Sequence, residues 1–164
     1  AMNIGDMTGQ VYVHGRIQTD PDSLEHYLER GYRMWINDSY WLVMPFKLRD
    51  PGTQLHYLGT GETMDAQPAE ILELTFSGVG VTPDNKYHIY VDPDRRLVVQ
   101  WDYYRTAEDP EPRIRNLWTN YRRYGKVLLS DGRGDRSLSG LAVHDQLPAR
   151  LFETVEKTAA ELLR

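Results

Sequence analysis

From residue 40 onward the chain is a series of short apolar segments punctuated by turn residues, and no other feature restricts its fold as strongly. Segments 54–58, 71–76, 87–91 and 97–104 carry the apolar or aromatic alternation of half-buried strands, as in Leu72, Leu74 and Phe76 against Glu73 and Thr75. Between such segments stand Asp50-Pro51-Gly52, Asp92-Pro93-Asp94 and Asp131-Gly132-Arg133-Gly134-Asp135. In these turns Pro presets φ, Gly reaches positive φ, and Asp bonds to the backbone ahead of it. Strands joined so tightly run antiparallel, because a parallel pair needs a crossover of a dozen residues or more. Further strands are expected at 11–17, 40–46, 114–121, 126–130 and 137–143, with loops at 60–68, 78–85 and 108–112. Pro45 near the end of 40–46 marks an edge or a bend.

Two helices interrupt this pattern. Asp20 is placed to accept the first free N–H groups, and Pro21 suits a first helical position. Leu24, Tyr27, Leu28, Gly31 and Trp35 then form one apolar face, predicting a helix over 21–36 that stops at Asn37-Asp38. A second helix is expected from Pro148, with Leu151, Phe152, Val155, Ala159 and Leu162/Leu163 on one face. The predicted class is α+β, mainly β: one domain of 164 residues, a curved antiparallel sheet, a helix near the N-terminus, and a C-terminal helix packed on or near the concave face. Ala1-Met2 reads as a cloning remnant.

Composition narrows the chemistry. Cysteine is absent, which removes disulfides, thiol nucleophiles and thiolate zinc sites. A net charge of −5 disfavours phosphate-backbone recognition. The basic–aromatic stretch R-I-R-N-L-W-T-N-Y-R-R-Y-G-K at 113–126 therefore reads as a hairpin with a polar face, and no nucleic-acid partner is expected. Its Trp and Tyr rings equally fit a sugar-stacking shelf. No apolar run approaches the roughly 18 residues of a membrane-spanning helix. His14, His26, His56, His88 and His144 are isolated in sequence, so no metal is expected, and neither is another cofactor. No G-x-S-x-G elbow is present, and the glycine pairs lie between strands instead of opening a helix. A carboxylate pair built on Glu73, Asp92 or Asp102 requires a partner across the sheet. No catalytic residue is assigned, and the protein is expected not to be an enzyme.

The remaining signal is aromatic. Trp35, Trp41, Phe46, Leu74, Phe76, Trp101, Tyr103, Leu117 and Trp118 come from the first helix and several strands. They either fill a solid sheet–helix core or line an apolar cavity, since large rings with one polar tip suit both.

The run N-D-S-Y-W-L-V-M-P-F-K-L-R-D-P-G at 37–52 resembles a signature of bacterial secreted proteins related to the outer-membrane lipoprotein carrier and sorting family (LolA/LolB-like). L-E-L-T-F-S-G-V-G-V-T-P-D at 72–84, Y-H-I-Y-V-D at 87–92 and V-V-Q-W-D at 98–102 are similar in the same order. The likeness extends over 11–152. It implies an incompletely closed, half β-barrel with helices at its mouth, an interior that takes acyl chains, and a periplasmic or envelope location. Tyr40, Trp41, Leu42, Met44, Phe46 and Leu48 would then lie on a barrel strand, with Lys47, Asp50 and Gly52 at its turn.

Full-length relatives have additional strands and a secretion signal before the segment matching 11–17. The chain is therefore expected to be the C-terminal part of a longer protein or a reduced version. The expected function is non-catalytic binding of an apolar or acyl-bearing ligand, a lipid or lipoprotein, in the concave face. The alternative is a scaffold whose sheet edge or concave face docks a protein partner or a second copy.

Overall fold

A computed structural model describes residues 1–149 and 152. The expected C-terminal helix falls largely on 150–151 and 153–164, outside the described residues. The described chain is mainly β, with one helix and four antiparallel sheets. Contacts group it into two compact units, Ala1–Ser39 with the chain from His144, and Tyr40–Val143.

In the first unit, β1 (Met2–Asn3) pairs with β2 (Thr8–Gly9), and β3 (Tyr12–Val13) pairs with β4 (Arg16–Ile17). The single strand expected over 11–17 is thus a hairpin. His14 and Gly15 both take positive φ, at 49° and 76°, the requirement of a type I′ two-residue turn. Helix α1 (Pro21–Lys47) starts where the capping signals place it. Asp20 Oδ2 accepts the Ser23 N–H at 2.9 Å, and hydrogen bonding from the Ser23 side chain first and its N–H second holds the Asp20 carboxyl below its ordinary pKa.

The helix does not stop at Asn37-Asp38. Residues 40–46, expected as a strand from the pattern and from what the resemblance implies, instead form its last turns, which corrects that placement. Tyr40, Trp41, Met44 and Leu48 recur at helical spacing and all pack on one core, where Met44 is 1% exposed. Burial along that stripe outweighs the strand preference of the aromatic and β-branched residues.

In the second unit, β5 (Thr53–Glu62), β6 (Pro68–Phe76), β7 (Lys86–Val91), β8 (Val98–Tyr104) and β9 (Ile114–Leu117) form a five-stranded meander in chain order. Each strand of this sheet runs antiparallel to its neighbour, as the short connections require. Asp92 Oδ1 accepts the N–H groups of Asp94 and Arg95, both at 2.9 Å, closing the β7–β8 turn. Part of the expected 60–68 loop belongs to β5 and to the first residue of β6.

The strand expected over 114–121 is broken at Trp118, whose N–H still bonds to the Val99 carbonyl at 2.7 Å. Beyond it, β10 (Thr119–Tyr124), β11 (Val127–Arg133) and β12 (Arg136–Ser137) make a separate three-stranded sheet. The strand expected over 137–143 is reduced to its first residue. None of the sheets among the described residues closes into a barrel.

Candidate functional site

Register determines what each face of the meander presents. Leu55, Leu74, Tyr87, Tyr103 and Ile114 are successive partners across β5 to β9, and Tyr57, Leu72, Ile89, Trp101 and Asn116 form the adjacent row. The last turns of α1 pack on this apolar face. Tyr87 is the hub of its rings, with centroids 5.2 Å from Trp101, 5.4 Å from Tyr103 and 6.1 Å from both Phe76 and Tyr40. Trp41 meets Trp101 edge-on at 5.5 Å. Leu74 and Ile89 are fully buried beneath them, whereas Tyr40, Trp41, Phe76, Tyr87 and Tyr103 are only partly buried. Burial raises the Tyr87 hydroxyl well above its ordinary pKa, with Tyr103 and Tyr40 adding to the effect.

The sequence candidates divide between this cluster and other places. Trp41, Leu74, Phe76, Trp101, Tyr103 and Trp118 lie in it or pack against it. Phe46, on α1, is 61% exposed. Trp35 belongs to the first unit, where it is 46% exposed and stacks on Tyr32 at 6.2 Å. Leu117 lines a cleft described below. Tyr87, Tyr40, Met44 and Ile89 were not among the candidates. The alternation Y-H-I-Y-V already places Tyr87 and Ile89 on one face, so that signal was present.

Arg133 carried no sequence signal, because its Gly-Arg-Gly setting reads as a turn, whereas it is the last residue of β11. It is 1% exposed, and its guanidinium lies 3.5 Å from the centroid of the Trp118 ring. Nε and Nη2 donate to the Trp41 carbonyl at 3.0 and 2.5 Å, and Nη1 donates to Ser130 Oγ at 2.8 Å and the Gly132 carbonyl at 2.7 Å. Why Trp41 needs this partner follows from Pro45. An α-helical carbonyl accepts from the N–H four residues later, and here that residue has none. Arg133 fills the place left by the proline. Burial lowers its pKa from 12.5 to about 10, with Tyr121 and Asp131 opposing, and it remains a cation at neutral pH.

The opposite face of the meander is polar. His56, Glu73, His88, Asp102 and Arg115 are successive cross-strand partners. His88 Nε2 lies 3.5 Å from Glu73, and its Nδ1 is 3.0 Å from the Tyr104 hydroxyl. Asp102, 1% exposed, accepts from Gln100 Nε2 at 2.7 Å and from the Tyr90 hydroxyl at 3.0 Å, with Arg115 at 3.8 Å. Burial raises the Asp102 carboxyl above its ordinary pKa, opposed by those bonds and by Arg115 and His88. Gln100 Oε1 also accepts the Met64 N–H at 2.7 Å, which ties the β5–β6 turn to this network.

That turn forms one wall of a cleft of about 380 Å³, with the β7–β8 turn as another and Leu117, Trp118 and Tyr121 among its lining. A groove of about 510 Å³ runs beside Pro21, Leu24 and Leu28 in the first unit. No group of His, Asp and Glu able to hold a metal ion is found among the described residues, and none of their helices is long and apolar enough to cross a membrane.

These features define an α+β domain class: an antiparallel meander with an aromatic face under a helix end and a hydrogen-bonded polar face behind it. No protein-family model matches this chain, and no curated protein or solved structure does so either.

Proposed function

We propose that this is a non-catalytic bacterial envelope protein that binds an apolar or acyl-bearing ligand, a lipid or lipoprotein chain, on the aromatic face of its meander. One observation supports the reading: in the ring cluster around Tyr87 and the buried Trp101, the apolar rings Tyr40, Trp41, Phe76, Tyr87 and Tyr103 remain only partly buried. The envelope location and the carrier character rest on the resemblance of 37–52 and 72–102 to lipoprotein carriers. In the same reading the meander is the curved wall of an incomplete barrel.

Burial of methylenes contributes about 0.8 kcal/mol each, so about eight laid on such rings gain on the order of 6 kcal/mol before immobilisation is subtracted. No chemical step is required. Brominated palmitate titrated into the protein should quench tryptophan fluorescence saturably, and lipid extracted from protein purified from a bacterial host should contain acyl chains. Unquenched fluorescence together with empty protein would overturn the proposal.

A second reading has one observation in its favour. The edge strand β5, T-Q-L-H-Y-L-G-T-G-E, has ten residues, no Pro or Lys, and exposed Tyr57 and Leu58. Edges normally carry such protection against pairing with other chains. Under this reading β5 adds a strand from a protein partner or a second copy, and sedimentation velocity would show a concentration-dependent dimer that Leu58→Lys abolishes.

A further inference from the structure

The aromatic face carries polar groups that apolar contact alone does not use. Elsewhere in the second unit tyrosine hydroxyls are bonded within the fold, as Tyr90 is to Asp102, Tyr104 to His88 and Tyr121 to the Val98 carbonyl. The hydroxyls of Tyr40, Tyr87 and Tyr103 have no hydrogen-bond partner among the described residues, yet they are not sealed from solvent as the unpaired indole N–H of Trp101 is. Their rings adjoin, with the Tyr87 centroid 6.1 Å from Tyr40 and 5.4 Å from Tyr103. Phenol groups open to a guest therefore stand together on one apolar surface.

The charges nearby decide which head group these phenols suit. Among the described residues the fixed charge that acts on the Tyr40 hydroxyl is the Asp50 carboxylate, to which Lys47 Nζ donates at 2.5 Å. Tyr87 responds to its own burial and then to Tyr103 and Tyr40, with no charged group among the causes. Burial raises both hydroxyls above their ordinary pKa, so they stay protonated and donate at neutral pH. A carboxylate placed here loses hydration among the rings, gains no cation from these groups, and at Tyr40 meets the like charge of Asp50. An ammonium brings donors alone, which leaves the phenol protons without an acceptor. An uncharged carbonyl has two lone pairs to offer and costs far less to dehydrate than an ion.

Resting on the reading of this face as the ligand surface, we infer that the Tyr40, Tyr87 and Tyr103 hydroxyls form its head-group site and select an acyl chain carried as an uncharged ester over the same chain carried as a free carboxylate. The chain lies on the rings, and the ester carbonyl accepts from the phenols.

The test is quenching of tryptophan fluorescence at neutral pH by brominated palmitate and by its methyl ester, with hexadecyltrimethylammonium as a competitor, all below the concentrations at which they aggregate. The ester should bind roughly tenfold more tightly than the acid, because only the acid brings an unpaired charge to the rings. Tyr87→Phe keeps the ring and removes only the hydroxyl. It should weaken ester binding about three- to tenfold, the size of one uncharged hydrogen bond, and bring the two affinities together. Tyr103→Phe should act in the same direction. Neither hydroxyl bonds within the fold, so both variants should keep the wild-type melting temperature, and either one decides the matter if the other does not fold.

Fluorescence that no probe quenches overturns the ligand reading and this inference with it. Saturable quenching with equal affinity for acid and ester, tighter binding of the ammonium than of the ester, or undiminished ester binding in both variants leaves the ligand surface standing and overturns the head-group assignment.

Discussion

Replacing Arg133 by Met keeps an apolar stem over Trp118 but removes the cation that occupies the Trp41 carbonyl. Two large effects then oppose each other. Loss of the guanidinium leaves a buried carbonyl without a donor, which costs about 1–3 kcal/mol, and also removes the bonds to Ser130 and Gly132. Against this, the protein no longer buries a charge. The fall of that group from 12.5 to about 10 is worth about 3 kcal/mol against the charged form. The single variant should therefore change stability by no more than about 2 kcal/mol, and its sign decides nothing.

The interaction with Pro45 does decide. In Pro45→Ala the helix regains an N–H at the position that serves the Trp41 carbonyl, so a donor is present whether or not Arg133 is. Arg133→Met should therefore cost about 1–2 kcal/mol less in the Pro45→Ala background than in the wild type. Urea unfolding followed by tryptophan fluorescence reads this directly, provided the m-value stays constant across the four proteins. If the cost of Arg133→Met agrees within about 0.5 kcal/mol in the two backgrounds, the limit of additivity for independent sites, the argument that Arg133 replaces the proline's missing donor is refuted.

Asp102 gives a pH-dependent expectation. Its folded pKa is raised above 3.8, so the folded state binds the proton more tightly and the stability contribution declines as pH rises from about 4 through the raised value. Asp102→Asn should gain stability relative to wild type between pH 3.5 and pH 7, and a pH-independent difference in urea midpoints would contradict this. Met44→Ala, at a 1% exposed site, should lose about 2–5 kcal/mol, measured by the same unfolding. Asp20→Ala removes the cap of α1 and should cost about 1 kcal/mol, visible as a lower midpoint in far-UV circular dichroism. Gly132→Ala places a Cβ against Thr119 Oγ1 and the Thr119 carbonyl and should destabilise by about 1–3 kcal/mol, with faster hydrogen exchange in β11.

Local signals read well wherever the determining atoms are neighbours in sequence. The Asp20-Pro21 start of α1, the Asp92 turn and the alternating faces of β6 and β8 were legible because capping, Asx bonding and pleating act within a few residues. The end of α1 was not. N-D-S followed by Y-W-L-V-M-P-F has every local mark of a break and a strand, yet Tyr40, Trp41, Met44 and Leu48 gain more by lying on the meander together. Within the candidate site, Trp101, Tyr103, Leu74 and Phe76 were found from periodicity. Tyr87, on the same face by the same periodicity, was passed over. The break at Trp118 depends on one strand leaving β8 for another sheet, which no window of residues encodes.

The amino-acid order alone determined an antiparallel meander, a capped first helix and the lack of thiol chemistry, since these follow from φ preferences, side-chain period and composition. Tertiary structure alone decided that residues 40–47 are helical and that a proline among them is answered by an arginine 92 residues away from Trp41. It also brought two turns and Trp118 together around one cleft. The reason is that burial and hydrogen-bond satisfaction are settled between segments, and a local preference of a few tenths of a kcal/mol per residue yields to them.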